Sequence, residues 1–156
     1  MRNMAKKARF VAGGVCGLLL LTVLILTAQG VKSDRSAHCT RVVDGDTIEL
    51  STGERVRYIG IDTAEPKDRL GKVITEFNRY LIEGKDIRLE FDIEKYDKYN
   101  RLLAYVYVDD VFVNAALVER GLAEVMTVPP NVRHRKHFQQ LQEKARKSKR
   151  GIWSKG

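Results

Sequence analysis

The chain has 156 residues, a formal net charge of +8 and 44% apolar residues. That is room for one compact domain and not for two. Of its two cysteines, Cys16 lies in a wholly apolar run, so Cys39 has no partner in the folded part, which excludes a disulfide framework and a Cys-based zinc site.

Residues 11–28, VAGGVCGLLLLTVLILTA, carry no charge, and Arg2, Lys6, Lys7 and Arg9 precede them without an acid. This is the layout of a secretory signal peptide or a signal anchor. The small residues Ala28 and Gly30 suit cleavage after Gly30, and the run is also just long enough to span a bilayer, so both outcomes stay open. The basic flank predicts a cytoplasmic N-terminus and an exported domain, whether secreted, periplasmic or held at the membrane by residues 11–28. A buried core helix fits poorly, because the run has no polar face. The expected organisation is a signal or anchor over 1–30, a linker over 31–39 and one folded domain over 40–154. Without residues 1–30 the net charge falls to +4, since four basic residues and no acid leave with them. Between 133 and 155 nine Lys and Arg accompany one acid, Glu143. Such a stripe suits a polyanion, and it equally suits a solvated helix face.

Within the domain, 39–43 and 48–50 read as strands joined by an Asp-Gly turn, and 51–53 as a second turn. Residues 54–61 alternate, with Val56 and Tyr58 on one face and Arg55 and Arg57 on the other. Pro66 disfavours helical geometry at Glu65, so 62–66 is a loop. Residues 72–83 predict a helix presenting Val73, Phe77, Tyr80 and Leu81, stopped by Gly84. Residues 85–93 predict a half-buried strand through Ile87, Leu89, Phe91 and Ile93, then a charged loop over 94–100. A hairpin follows over 102–113, turning at Asp109-Asp110. Asn114 is expected to cap a short helix over 115–120, and 123–126 to be a short extended piece. A last helix over 133–149 would bury Phe138, Leu141 and Ala145, with Ile152 and Trp153 folding back. The fold class is α+β, mainly β: a five-stranded OB-fold barrel with about three helices, preceded by the apolar signal or anchor segment.

The chemistry-bearing residues gather at strand ends. Asp44, Asp46 and Thr47 sit at the first turn, Asp62, Thr63 and Glu65 follow the third strand, Arg57 lies within it, and Arg101 follows the 94–100 loop. A meander brings the loop after strand three toward the first turn, so three or more carboxylates would share one cleft. Crowded carboxylates need a cation, and oxygen donors without His or Cys select calcium or magnesium. Two arginines in the same cleft call for an anion, and guanidinium pairs with phosphate in a two-pronged geometry. Ion, carboxylate and arginines together make a phosphodiesterase site. Asp-Gly-Asp alone is more often a plain turn; Arg57, Asp62, Glu65 and Arg101 tip the reading. Asp44 reads as a turn residue, Glu94 and Asp97 as a solvated loop, His134 and His137 as surface, and Phe77, Phe91, Tyr105 and Tyr107 as core.

Five segments occur in order over roughly 40–154: DGDT at 44–47, RYIGIDTAE at 57–65, DKYNRLLAY at 97–105, VNAALV at 113–118 and GIW at 151–153. Each is weak alone. Together, at consistent spacing, they resemble the staphylococcal nuclease (thermonuclease) family. The resemblance implies an OB barrel with three helices and a calcium-dependent endonuclease of DNA and RNA that leaves 3′-phosphate and 5′-hydroxyl ends, with magnesium the weaker alternative. By position, Asp46 and Asp62 would ligate calcium together with the carbonyl of Thr63. Glu65 would orient or deprotonate the attacking water. Arg57 and Arg101 would grip the phosphate, and Lys98 and Tyr99 would contact a terminal phosphate or sugar. Arg101 would act electrostatically, since guanidinium does not release its proton. The chain departs from the family at Ala64, where a proline is usual, and at Thr127, Val128 and Pro129, where the family has tyrosines that pack on the nucleotide; weaker base stacking is expected. The rival readings are a catalytically weak nucleic-acid-binding OB module and a structural calcium domain. The retained acids argue against the first and the arginines against the second. A monomer is expected, with membrane contact only through the N-terminal segment if it is uncleaved.

Overall fold

The computed structural model describes residues 34–154. The signal or anchor expected over 1–30 lies outside the described residues. Strand β1 (Asp34–Val42) pairs antiparallel with β2 (Thr47–Leu50), which pairs with β3 (Arg55–Tyr58). After the short β4 (Ile61–Asp62) and helix α1 (Arg69–Ile82) come β5 (Asp86–Glu90), β6 (Leu102–Val108) and β7 (Val111–Phe112). Helix α2 (Val113–Glu119), strand β8 (Glu124–Val125), helix α3 (Arg135–Lys147) and a 3₁₀ turn at Gly151–Ser154 complete the order.

Closure needs two devices. The first is β1 itself: residues 34–38 pair with β5 and residues 39–42 with β2, with an irregularity between Cys39 and Arg41. A bulge of this kind bends one strand so that it serves both sides of a barrel. The second is a parallel pairing of β3 with β6, Val56 to Leu102 through Tyr58 to Ala104. The ring β1-β2-β3-β6-β5 is then shut, as expected for the five-stranded barrel, with β7 added to β6 and β4 paired separately with β8. The core runs through it: Val42, Ile48, Leu50, Val56, Tyr58, Leu89 and Val106 are buried.

Several expectations are corrected. The linker expected over 31–39 is strand from Asp34 onward, because residues 34–38 pair antiparallel with β5. The face of α1 is rotated from the one predicted. Val73 and Tyr80 are exposed, Phe77 and Leu81 only flank the core, and the buried residues are Gly71, Ile74, Thr75, Asn78 and Ile82. Polar Thr75 and Asn78 hid this face from a hydrophobic count: Thr75 donates back to the Gly71 carbonyl at 2.8 Å, and Asn78 accepts from the Tyr58 hydroxyl at 3.0 Å. Ile93 is exposed beyond the end of β5. His134, expected at the surface, is half-buried edge-on against Tyr105, with ring centroids 4.4 Å apart.

Asn114 is not the helix cap. It lies inside α2, fully buried, and its amide joins two parts of the barrel: Oδ1 accepts the Val106 N–H and Nδ2 donates to the Ile59 carbonyl, both at 2.9 Å. Ile59 precedes the segment that carries Asp62, so this clasp sets where β4 leaves the barrel. An Asn114→Leu variant leaves both backbone groups without partners and is expected to lose about 2–5 kcal/mol of stability. Denaturant unfolding measures this; a loss under about 1 kcal/mol would show that the clasp contributes little.

Candidate active site

The Asp-Gly-Asp turn aims one carboxylate inward. Asp44 Oδ1 accepts the Asp46 N–H at 3.0 Å, which closes the turn and leaves the Asp46 side chain directed at the loop after β4. Gly45 is required by close approach: a Cβ there would lie 2.6 Å from Ile74 Cγ2 and 2.6 Å from Thr63 Oγ1. Asp46, 5% exposed, accepts the backbone N–H and the hydroxyl of Thr63 on Oδ2 at 2.9 and 3.0 Å. The turn and the 62–65 loop are thereby tied together, as the meander predicts.

Arg57, whose side chain is 12% exposed, sits between the acids. Its Nε lies 3.1 Å from Asp46 Oδ1 and its Nη2 donates to Asp62 Oδ1 at 2.8 Å, while Nη1 donates to the carbonyls of Tyr58 and Ile61, each at 2.9 Å. The guanidinium plane is fixed on three sides. Burial pushes the Asp46 carboxyl up to about 6, against the lowering pull of Arg57; the charges of Asp44 and Asp62 add to the rise and the Thr63 hydrogen bond opposes it.

Glu65 is exposed at the loop's end, and α1 starts beneath it. The Asp68 N–H donates to its carbonyl at 3.0 Å, and a Cβ on Gly71 would stand 1.9 Å from that same oxygen. The backbone of Glu65 is therefore seated on the first turn of α1 at a place where only glycine fits. Both Ala64 and Glu65 line the cavity described below.

Arg101 comes from the end of the 94–100 loop, just before β6, and its positioning residue went unread in the sequence. Asp97 is no solvated loop acid. Its Oδ1 accepts the backbone N–H groups of Tyr99 and Arg101 at 2.9 Å each, and its Oδ2 holds the Arg101 guanidinium at 2.7 Å. Burial alone would raise its pKa, but these hydrogen bonds outweigh it and hold the carboxyl below its usual value. An acid four residues before an arginine, in a loop that must turn through Asn100 at φ 60°, is the signal that could have found it. Lys98 and Tyr99 project from the same loop, with the Lys98 ammonium 5.0 Å from the Tyr99 ring centroid.

Asp44, Asp46, Thr47, Arg57, Asp62, Thr63, Glu65 and Arg101 all line one cavity of about 120 Å³. Lys98 and Tyr99 line an adjoining groove of about 410 Å³ that also reaches Arg57, Arg101, Met126 and Val128. Of the residues predicted for a site, the structure thus brings six into the cavity and two to its rim. The donors available to a cation are all oxygen, and one of them is the buried carboxylate of Asp46. That set fits a hard divalent ion. Among the described residues no group of three or more His, Cys, Asp and Glu side chains is arranged to hold a metal ion by itself.

Comparison with known proteins shows which family the chain resembles. The family model described as staphylococcal nuclease homologue matches residues 55–155. The thermonuclease of Staphylococcus intermedius is 40% identical over 159 residues, covering 88% of this chain and 95% of that protein. The thermonuclease of Staphylococcus hyicus is 30% identical over 157 residues, covering 90% and 93%. An SPbeta prophage-derived endonuclease of Bacillus subtilis is 40% identical over 126 residues, 74% of this chain and 43% of its own longer length. With the family model matched over residues 55–155 and relatives 30–40% identical across nearly the whole chain, this protein belongs to the staphylococcal nuclease family.

Proposed function

We propose that this protein is an exported, calcium-dependent endonuclease that hydrolyses phosphodiester bonds of DNA and RNA and leaves 3′-phosphate and 5′-hydroxyl ends. The observation that carries the reading is the convergence of Asp46, Asp62, Glu65, Arg57 and Arg101 on one cavity of about 120 Å³. A structural calcium site has no use for two arginines there, and a passive binding module has no use for an exposed, precisely seated carboxylate beside them. The thermonuclease and endonuclease names of the relatives support the same class of reaction.

The division of labour follows from each group's chemistry. Arg57 and Arg101 both line the cavity and would hold the phosphate oxygens, and their fixed charge favours the extra negative charge of the five-coordinate state. Glu65, exposed at the cavity edge, accepts a proton from the attacking water or orients it. Neither arginine gives up a proton, so the departing 5′-oxygen takes its proton from solvent. Asp46, Asp62 and the Thr63 carbonyl would hold calcium, which supplies Lewis-acid polarisation of a phosphate oxygen. Lys98 and Tyr99, on the rim, are placed for a neighbouring phosphate or sugar. The basic flank and apolar run at the N-terminus support export, and calcium is abundant outside cells, where a weak site suffices.

The test is cleavage of single-stranded and duplex DNA, and of RNA, by the purified protein with calcium, with magnesium and with chelator. Cleavage in calcium that chelator abolishes, yielding 3′-phosphate ends, is expected. Binding without cleavage under every ion would replace this reading with the binding-module one.

A further inference from the structure

Three cavities meet at Arg101. It lines the acidic cavity, the 410 Å³ groove and a third groove of about 610 Å³ walled by Thr52, Glu54, Arg55, Tyr96, Tyr99 and Arg101. The reaction proposed above makes no use of the third. Tyr96 and Tyr99 line both larger grooves and so form the ridge between them. They are 52% and 68% exposed, a large aromatic area to leave in water. The ridge is anchored at both ends: Tyr96 is bridged to Leu102, and the Tyr99 N–H is held by Asp97.

Arg55 supplies the charge. It is the residue before last to Arg57 on β3, and strand geometry puts both side chains on one face about 7 Å apart, a distance that one nucleotide unit can bridge. Arg57 is ion-paired with Asp46 and Asp62 and serves the scissile phosphate. The Arg55 side chain is instead 57% exposed, and its nearest carboxylate, Glu49, is 4.0 Å away and already held by Arg41 at 2.8 Å. The acid within the groove, Glu54, is answered by Arg35, whose hydrogen bond holds its carboxyl down at about 2. The groove therefore offers an exposed cation, only loosely paired with Glu49, beside an aromatic ridge, continuous with the active site through Arg101.

We infer that this groove is an extension subsite for the substrate strand, in which the nucleotide next to the scissile phosphate rests its own phosphate on Arg55 and stacks its base on the Tyr96–Tyr99 ridge. The assignment rests on the nuclease reading only for the position of the scissile phosphate. Stacking on an aromatic face is tolerant of base identity. The ridge thus supplies an aromatic surface in a chain where Thr127, Val128 and Pro129 offer none.

The subsite predicts a gain with substrate length, and two variants test it: Arg55→Gln and Tyr96→Ala, both at exposed positions where the fold should survive. For the wild type, kcat/KM is expected to rise from a dinucleotide to a tetranucleotide. In either variant that ratio should fall by about 10-fold. In parallel, binding of a non-hydrolysable phosphorothioate single strand is measured by fluorescence anisotropy against salt. Arg55→Gln should reduce the slope of log K against log salt by about 0.7, the contribution of one phosphate contact on a single strand. An unchanged length ratio together with an unchanged salt slope overturns the subsite. If the wild type binds with an Arg55-dependent slope but cleaves nothing, the subsite stands and the catalytic reading falls. If it binds no oligonucleotide, both fall.

Discussion

Glu65→Gln is expected to lower kcat on DNA by about 10² to 10⁴-fold with no change in the unfolding midpoint. The two halves of this prediction have separate causes. The Glu65 side chain is exposed, and among the described residues no hydrogen bond runs through its carboxylate; what seats the residue is its backbone, on Asp68 and against Gly71. Glutamine keeps the shape and removes the basic oxygen, so turnover carries the whole effect. Steady-state kinetics with calcium, set beside thermal unfolding of the same preparation, checks it. A variant that retains wild-type turnover would remove Glu65 from the chemistry.

Arg57→Ala is expected to cost both activity and stability. Removing one phosphate-holding group should lower kcat/KM by about 10² to 10³-fold. Removing the guanidinium also leaves buried Asp46 facing Asp44 and Asp62 without its counter-charge, a loss of about 3–5 kcal/mol when one partner of a buried pair is deleted. Because the missing charge is positive, calcium should restore more stability to the variant than it adds to the wild type. Unfolding midpoints with calcium and with chelator measure this. Equal calcium effects on both proteins would show that the ion does not sit near Asp46. The contrast with Glu65→Gln is informative, since one residue acts only on substrate and the other also balances the charge of the fold.

Asp97 shows why part of the site was illegible in the chain. It lies in a run of charged residues, EKYDKYNR, whose composition is that of any solvated loop. Only the folded loop reveals that both its oxygens are engaged, by Tyr99, Arg101 and the guanidinium. The phase of α1 was hidden for a related reason. Its buried face includes Thr75 and Asn78, whose polar groups are satisfied by Gly71 and Tyr58, so apolar spacing pointed to Val73 and Tyr80 instead. Asn114 is the same case again: a residue type common at helix caps serves as a clasp because two distant backbone groups, at Ile59 and Val106, happen to flank it.

What the sequence determined by itself was what depends on the two-residue repeat of the strands, on turn chemistry and on the order of the motifs. Alternation in β3 separates buried Val56 and Tyr58 from outward Arg55 and Arg57, the Asp-Gly turn joins β1 to β2, and the motifs succeed one another in family order. These are properties of neighbours in the chain, and turn chemistry and the two-residue repeat of a strand enforce them wherever the segment lies. What only the tertiary structure decided was everything requiring partners far apart in sequence. The parallel closure of β3 on β6, the bulge that lets β1 serve two strands, the capture of Arg57 between Asp46 and Asp62, and the Tyr96–Tyr99 ridge shared by two grooves all belong to that group. Each depends on which surfaces meet when the barrel shuts, and no pattern within a single segment encodes that meeting.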